Sequence, residues 1–221
     1  MKNKTGSHVG IVLSFVVFVT FLIFLYSVLE PSFKSGEDKE NILDSLEKQL
    51  IEEFSSELIT VLISTDGGED CVNVDLGELV LGDNFIVKNK DDLILGSSFV
   101  SGNLEIDSDE SFFRAYFSEE EFESRDFSGD DCVDVDVGSV LIEEYIFKSL
   151  AGKFIADFEN NDLNIPEENN VGIIFKDDSG AEIFSTGIGD GNSEVYVREI
   201  PIQYIDDQAN INSGVINIII W

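Results

Sequence analysis

Residues 9–29 form a run of 21 positions without a charged side chain. As a helix this run is about 31 Å long, enough to cross the hydrocarbon core of a bilayer. Val9, Leu13, Phe15, Phe18, Phe21, Phe24 and Leu29 would present its lipid-facing surface. A cleaved secretory signal is the competing reading, but its apolar stretch should be shorter and end in a small-x-small site. Tyr26-Ser27-Val28-Leu29-Glu30-Pro31 offers no such site. A buried core helix fits less well, because the run has no polar face. A retained transmembrane helix is therefore the leading expectation.

The flanks orient it. Lys2 and Lys4 precede the run, whereas Glu30 follows it, with Lys34 the only early cation before Glu37 and Asp38; all 45 acidic residues and 11 of the 13 Lys and Arg lie beyond the run. The positive-inside rule places residues 1–8 in the cytoplasm and the rest outside the cell. The implied localisation is a single-pass cell-membrane protein whose partner is the lipid bilayer. A net charge of -32 also excludes a nucleic-acid binder of the usual kind, which needs clustered cations. The charge keeps the outer part soluble and repels anionic surfaces.

Hydrophobic residues make up 43% of the chain, a folding composition. After a linker at 30–37, Ile42, Leu43, Leu46, Leu50, Ile51, Phe54 and Leu58 recur at spacings of three and four. That spacing predicts an amphipathic helix over 38–58, its stripe laid on the protein's own core or on a partner. From Ile59 the pattern turns to β. Residues 59–63, 72–76, 85–87, 93–95, 99–106 and 112–117 read as strands separated by turn residues. Ile146, Leu150, Phe154 and Phe158, four apart, predict a second helix over 143–159. A hairpin over 172–184 turns at Asp177-Asp178-Ser179-Gly180. Residues 194–197 and 200–205 are further strands, the second demoted to an edge or a strand start by Pro201. The apolar ending 214–221 must pair inside a sheet or become an aggregation hazard. The expected class is α+β: a transmembrane helix, an amphipathic helix, then a β-rich, sandwich-like extracellular domain over 59–221 with one further helix.

An internal repeat runs through this domain. Asp70-Cys71-Val72-Asn73-Val74-Asp75-Leu76-Gly77 is echoed 61 residues later by Asp131-Cys132-Val133-Asp134-Val135-Asp136-Val137-Gly138. Duplicated half-domains over 59–128 and 129–221 would explain it, and so would chance in so acidic a chain. Cys71 and Cys132 take equivalent places in the two copies. Outside a cell, two cysteines and no more invite a disulfide, worth about 4 kcal/mol in the chain-entropy model; two buried free thiols are the alternative.

No metal, cofactor or catalytic site is expected. Cys71 and Cys132 alone leave a zinc site two ligands short. Acidic clusters at 107–110, 130–136 and 187–192 resemble oxygen-ligand sets for Ca²⁺ only weakly: none has the EF-hand spacing. A chain one-fifth acidic makes such clusters as solvated turns, so divalent cations are only a weak suggestion as partners. His8, the single histidine, lies at the cytoplasmic edge of the apolar run, which removes Ser-His-Asp and Cys-His arrangements from the outer part. A carboxylate pair of the glycosidase kind has no motif to single it out.

The order of parts resembles a type IV pilin: a short basic leader, a long apolar helix, an amphipathic helix and a β-rich head. Lys4-Thr5-Gly6-Ser7 is where such a leader would be cut, between Gly6 and Ser7. The sequence departs from pilins at the fifth position after the cut, where Ile11 replaces the usual glutamate. The opening residues 6–15 and the ending residues 199–206 and 220–221 are similar to uncharacterised archaeal single-pass membrane and surface proteins. The resemblance implies an archaeal surface protein with no assigned activity and carries no catalytic residue across; the expected function is a structural or binding role without catalysis. The alternative implication of the resemblance is a pilin-like subunit that self-associates through the N-terminal helix into a filament or secretion assembly.

Overall fold

The structure, a computed structural model, describes residues 6–68, 70–77, 82, 84–100, 102–107, 109–127, 129, 132–158, 163, 165, 169–187 and 195–221, with the side chains of 6–9 and 29–38 excepted. The chain divides into two compact units, Met1–Ser45 and Leu46–Trp221. It is an α+β protein with an apolar N-terminal helix and a β-rich domain.

Helix α1 runs without interruption from Gly6 to Phe54. Residues 30–37 are thus helical rather than a linker. Once a helix is nucleated each further residue adds a bond, which offsets the bond that Pro31 cannot make and the crowding of a proline ring on the preceding turn. The helix also ends four residues before the expected Leu58, because Ser55 already begins strand β1 (Ser55–Ser64). Helical spacing continues through Leu58, but pairing on both sides of β1 overrides it.

The strands that follow are β2 (Cys71–Asp75), β3 (Asn84–Asn89), β4 (Gly96–Val100), β5 (Asn103–Asp107), β6 (Phe112–Ser118), β7 (Arg125–Asp126), β8 (Val133–Val135) and β9 (Val137–Phe147). Helix α2 (Lys148–Ala156) leads to β10 (Val171–Asp177), β11 (Glu182–Thr186), β12 (Tyr196–Ile205) and β13 (Ile211–Ile220). An eight-stranded sheet has the order β11-β10-β13-β12-β9-β1-β6-β3, and a five-stranded sheet the order β7-β4-β5-β2-β8. Three expectations need correction. Residues 143–147 finish β9 instead of opening a helix, because β9 pairs with β1 from Ile146 back to Val137. Residues 93–95 form no strand: Asn89 Oδ1 takes the N–H groups of Asp91 and Leu93 into a turn, leaving a lone bridge between Ile94 and Lys88. The two strands expected at 194–197 and 200–205 are one. Pro201 fits inside β12 because, among the described residues, β12 reaches β9 only at Tyr204 and Ile205.

Strand β1 serves two cores. Ile59, Val61 and Ile63 join Val87, Phe113, Ala115 and Phe117 of the large sheet to Val72, Val74, Leu104 and Ile106 of the small one. Leu58 faces the other way, with Ile86, Tyr116, Phe147, Ile205 and Ala209. In that second core the end of the β12–β13 hairpin meets β3 and β6, so the eight-stranded sheet is curled. A third apolar region lies on β10, β12 and β13. Phe175 stacks on Phe184 and meets Tyr204 edge-on, with ring centroids 6.2 and 5.0 Å apart. Gly214 is required there: a Cβ would lie 2.6 Å from the Lys176 carbonyl oxygen and 3.0 Å from the Tyr204 ring. The last turns of α1 bury Leu46, Leu50 and Phe54, and Phe54 meets Phe154 of α2 edge-on at 5.3 Å. Glu47 accepts a 3.0 Å hydrogen bond from Arg198 of β12.

Phe54→Ala in the full chain in detergent is predicted to cost about 3–5 kcal/mol, the usual loss for a buried aromatic. It would be read as a lower urea midpoint at unchanged slope. A change within about 0.5 kcal/mol, as at a surface position, would remove Phe54 from the core.

Candidate functional site

Helix α1 contains one stretch long and apolar enough to cross a membrane, Gly10–Val28, with mean hydropathy 2.7 and no burial by protein. Leu13, Phe15, Phe18, Phe21 and Phe24 are all more than half exposed. The side chains of Val9 and Leu29, and those of Gly6 and Ser7, lie outside the described ones. Thr20, the hydroxyl in the middle of the stretch, returns its proton to the carbonyls of Val16 and Val17. A helix satisfies its own backbone, which is the condition for entering lipid. The stretch is compatible with a membrane anchor and also with a signal sequence.

Cys71 and Cys132 form a disulfide with their Cα atoms 4.7 Å apart. Strands β2 and β8 run parallel and side by side, with Val72 opposite Val133, Asn73 opposite Asp134 and Val74 opposite Val135. The pairing offset equals the repeat interval, so the two cysteines begin the same ladder. Asn73 Nδ2 donates to Asp134 Oδ1 at 2.7 Å across it. Cys71–Asp75 of the first octet and Val133–Val135 of the second lie in the small sheet, whereas Val137 and Gly138 already open β9 of the large one.

The acidic clusters are only partly placed: residues 108, 130–131 and 188–192 lie outside the described residues. Among the described residues no group of three or more His, Cys, Asp or Glu is disposed to hold a metal ion. Carboxylates are instead engaged by neighbours. Glu120, 8% exposed, accepts hydrogen bonds from Ser149 Oγ at 2.7 Å and Lys153 Nζ at 2.9 Å, pinning α2 to the end of β6. Asp177 Oδ1 receives Ser179 Oγ and the N–H groups of Ser179 and Ala181, which shapes the β10–β11 turn. The Ser179 hydroxyl and these N–H groups hold the Asp177 carboxyl below its ordinary range.

Asp206 organises the β12–β13 turn in the same way. Its Oδ1 accepts the N–H groups of Gln208 and Asn210, and its Oδ2 accepts the side-chain amides of Asn210 and Asn212, each at 3.0 Å. Burial pushes the Asp206 carboxyl up, and these hydrogen bonds overcome it, leaving the group below its ordinary range. Asn210 in turn accepts the ammonium of Lys88, a side chain only 1% exposed, at 2.7 Å. Sequence reading passed over Lys88, Asp206 and Asn210. The one available signal was an apolar strand, Phe85-Ile86-Val87, running into a lysine with no paired acid nearby on the strand.

Two of the clefts among the described residues lie beside the Asp177 and Asp206 turns. One of about 200 Å³ lies between Phe147, Ser149, Gly152, Phe184 and Asp206; the other, about 440 Å³, lies over β10 and β13 between Lys176, Glu199 and Asn217. Strand β9 presents a different feature. From Val137 to Glu144 it pairs, among the described residues, with β1 alone, and Val140, Leu141 and Ile142 are 37, 53 and 58% exposed.

No protein-family model matches the chain, and comparison with curated proteins and with solved structures returned no match.

Two outcomes follow from this geometry. Cys71→Ser and Cys132→Ser are each predicted to lower the melting temperature under oxidising conditions, by similar amounts and together with the same shift on adding reductant. Unequal losses, or an unchanged wild type in reductant, would show that the bond does not support the head. A carboxylate with a depressed folded pKa contributes stability above its unfolded value and loses it as pH falls through the folded one. The head is therefore predicted to lose stability as pH drops below about 4, and Asp206→Ala to flatten that acid limb in chemical unfolding at several pH values. An unaltered acid limb in the variant would contradict the assignment.

Proposed function

We propose that this chain is a single-pass, membrane-anchored cell-surface protein. Its N-terminus lies in the cytoplasm and an acidic, sandwich-like β head lies outside, in a structural or binding role without catalysis. The observation that carries the reading is the complete lack of protein burial over Gly10–Val28. About 20 apolar residues left in water would be a severe liability for a folded chain, and lipid removes it. Lys2 and Lys4 before the span, against Lys34 alone over residues 30–38 after it, support the orientation. The Cys71–Cys132 disulfide fits an oxidising exterior. The sandwich reading draws on the core shared by the two sheets. The likeness of the first and last residues to archaeal surface proteins points the same way.

A second reading has one observation in its favour. Helix α1 passes without a break from the apolar span into residues buried in the head, Leu46, Leu50 and Phe54. A filament subunit whose N-terminal helices pack on one another would use such a rod, with the leader removed between Gly6 and Ser7.

The test is protease treatment of intact cells with an antibody to the head. The expected result is loss of the head signal while a cytoplasmic control survives; a protected head would overturn the orientation. Mass spectrometry of the native N-terminus separates the two readings. A chain starting at Ser7 selects the filament subunit, and one retaining residues 1–8 selects the simple anchor.

A further inference from the structure

Lys88 is the one lysine among the largest fully buried side chains. It sits on β3, the last strand of the eight-stranded sheet, and its Nζ lies 2.7 Å from Asn210 Oδ1 and 5.9 Å from the centre of the Tyr116 ring. Among the described residues Asn210 Oδ1 is the single hydrogen-bond acceptor of its ammonium. A buried ammonium ordinarily demands a close carboxylate and a full set of acceptors. The nearby charges are Asp92 and Asp206, which favour the charged form, and Arg114, which opposes it and is itself paired with Asp92 at 2.6 Å. Burial dominates and pushes the Lys88 amine below its ordinary value, toward the neutral, nucleophilic form.

The other half of the site is equally constrained. The Asn210 amide is held at both ends, its oxygen by Lys88 and its nitrogen by Asp206 Oδ2 at 3.0 Å. The turn that presents it is tight: Asp206 binds the Gln208 and Asn210 N–H groups, and buried Ala209 adopts a left-handed φ of 53°. An amine, an amide carbon one bond beyond the contacting oxygen, and a carboxylate on the amide nitrogen are thus assembled in a partly buried setting.

We propose that Lys88 and Asn210 are covalently joined by an intramolecular amide cross-link, formed by the protein itself with Asp206 as the catalytic residue. The Lys88 Nζ lone pair attacks Asn210 Cγ, forming one C–N bond. The proton shed by Nζ passes to Nδ2 through Asp206 Oδ2. The Cγ–Nδ2 bond then breaks and ammonia leaves. One amide replaces another, no electron is gained or lost, and the Asp206 carboxylate returns to its starting state. The reaction needs no cofactor. Amide carbonyls resist amines in water, but two reacting groups held in hydrogen-bond contact gain a large effective concentration, and loss of ammonia to solvent draws the exchange forward. The product ties β3 to a hairpin turn 122 residues away and closes the curl of the large sheet.

The test is proteolytic mapping of the reduced and alkylated full-length protein by tandem mass spectrometry. The expected result is a branched peptide joining the segments of Lys88 and Asn210, lighter by one ammonia than its two parts. Separate linear peptides at their sequence masses, from protein shown to be folded, would overturn the proposal. Lys88→Met and Asn210→Ala are expected to abolish the ammonia deficit, and persistence of the deficit in either would assign it elsewhere and overturn the proposal. Asp206→Ala keeps both partners and is expected to leave them largely unlinked; linkage at the wild-type level would remove Asp206 from the reaction. Should a variant fail to fold, the wild-type map decides alone.

Discussion

Apolar surface that no protein covers is the constraint on which the rest of this molecule turns. Over Gly10–Val28 the helix exposes Phe, Leu, Ile and Val on every side, and none of it is buried. Hydrophobic transfer is worth about 25 cal/mol per Å² of such surface, so a stretch of this size has a strong drive toward lipid or toward copies of itself. All 45 acidic residues lie beyond this stretch. Helical hydrogen bonding within α1 makes the apolar portion compatible with a bilayer, and charge makes the remainder compatible with water.

Within the head, β1 has the corresponding position. It pairs with β6 on one side and β9 on the other, and its alternating side chains enter two different cores. The curl of the large sheet follows from the second of these, since Ile205 and Ala209 can meet Ile86 and Tyr116 only if the β12–β13 hairpin folds back over β3 and β6. Two ties then act within the head: Cys71–Cys132 lies beside the β2–β8 ladder of the small sheet, and the Lys88–Asn210 hydrogen bond joins edge strand β3 of the curled sheet to the β12–β13 turn.

Much of the β pattern was legible because it is local. Val72 and Val74 alternate with Asn73 and Asp75 and form β2, and the Asp177–Gly180 turn connects β10 to β11. The apolar ending lies as β13 between β10 and β12, as its aggregation risk required. Element limits were not legible where tertiary pairing competes with local spacing. Leu58 and Ile146 both continue a helical period, yet both sit in the β1–β9 ladder, where Ser55 faces Ile146 and Leu58 faces Glu143. The cysteines could be paired on paper because a repeat marked them as equivalent. Nothing comparable marks Lys88, Asp206 and Asn210, which are ordinary residues in an acidic chain until the curl brings them together.

The central claim is that the apolar stretch resides in lipid and carries the head with it. Alkaline carbonate extraction of membranes from cells making the full-length protein tests this directly, because it releases soluble and peripheral proteins and leaves spanning ones behind. The account predicts that the chain stays in the membrane pellet and floats with lipid on a density gradient. Recovery of the full-length chain in the carbonate supernatant would contradict it.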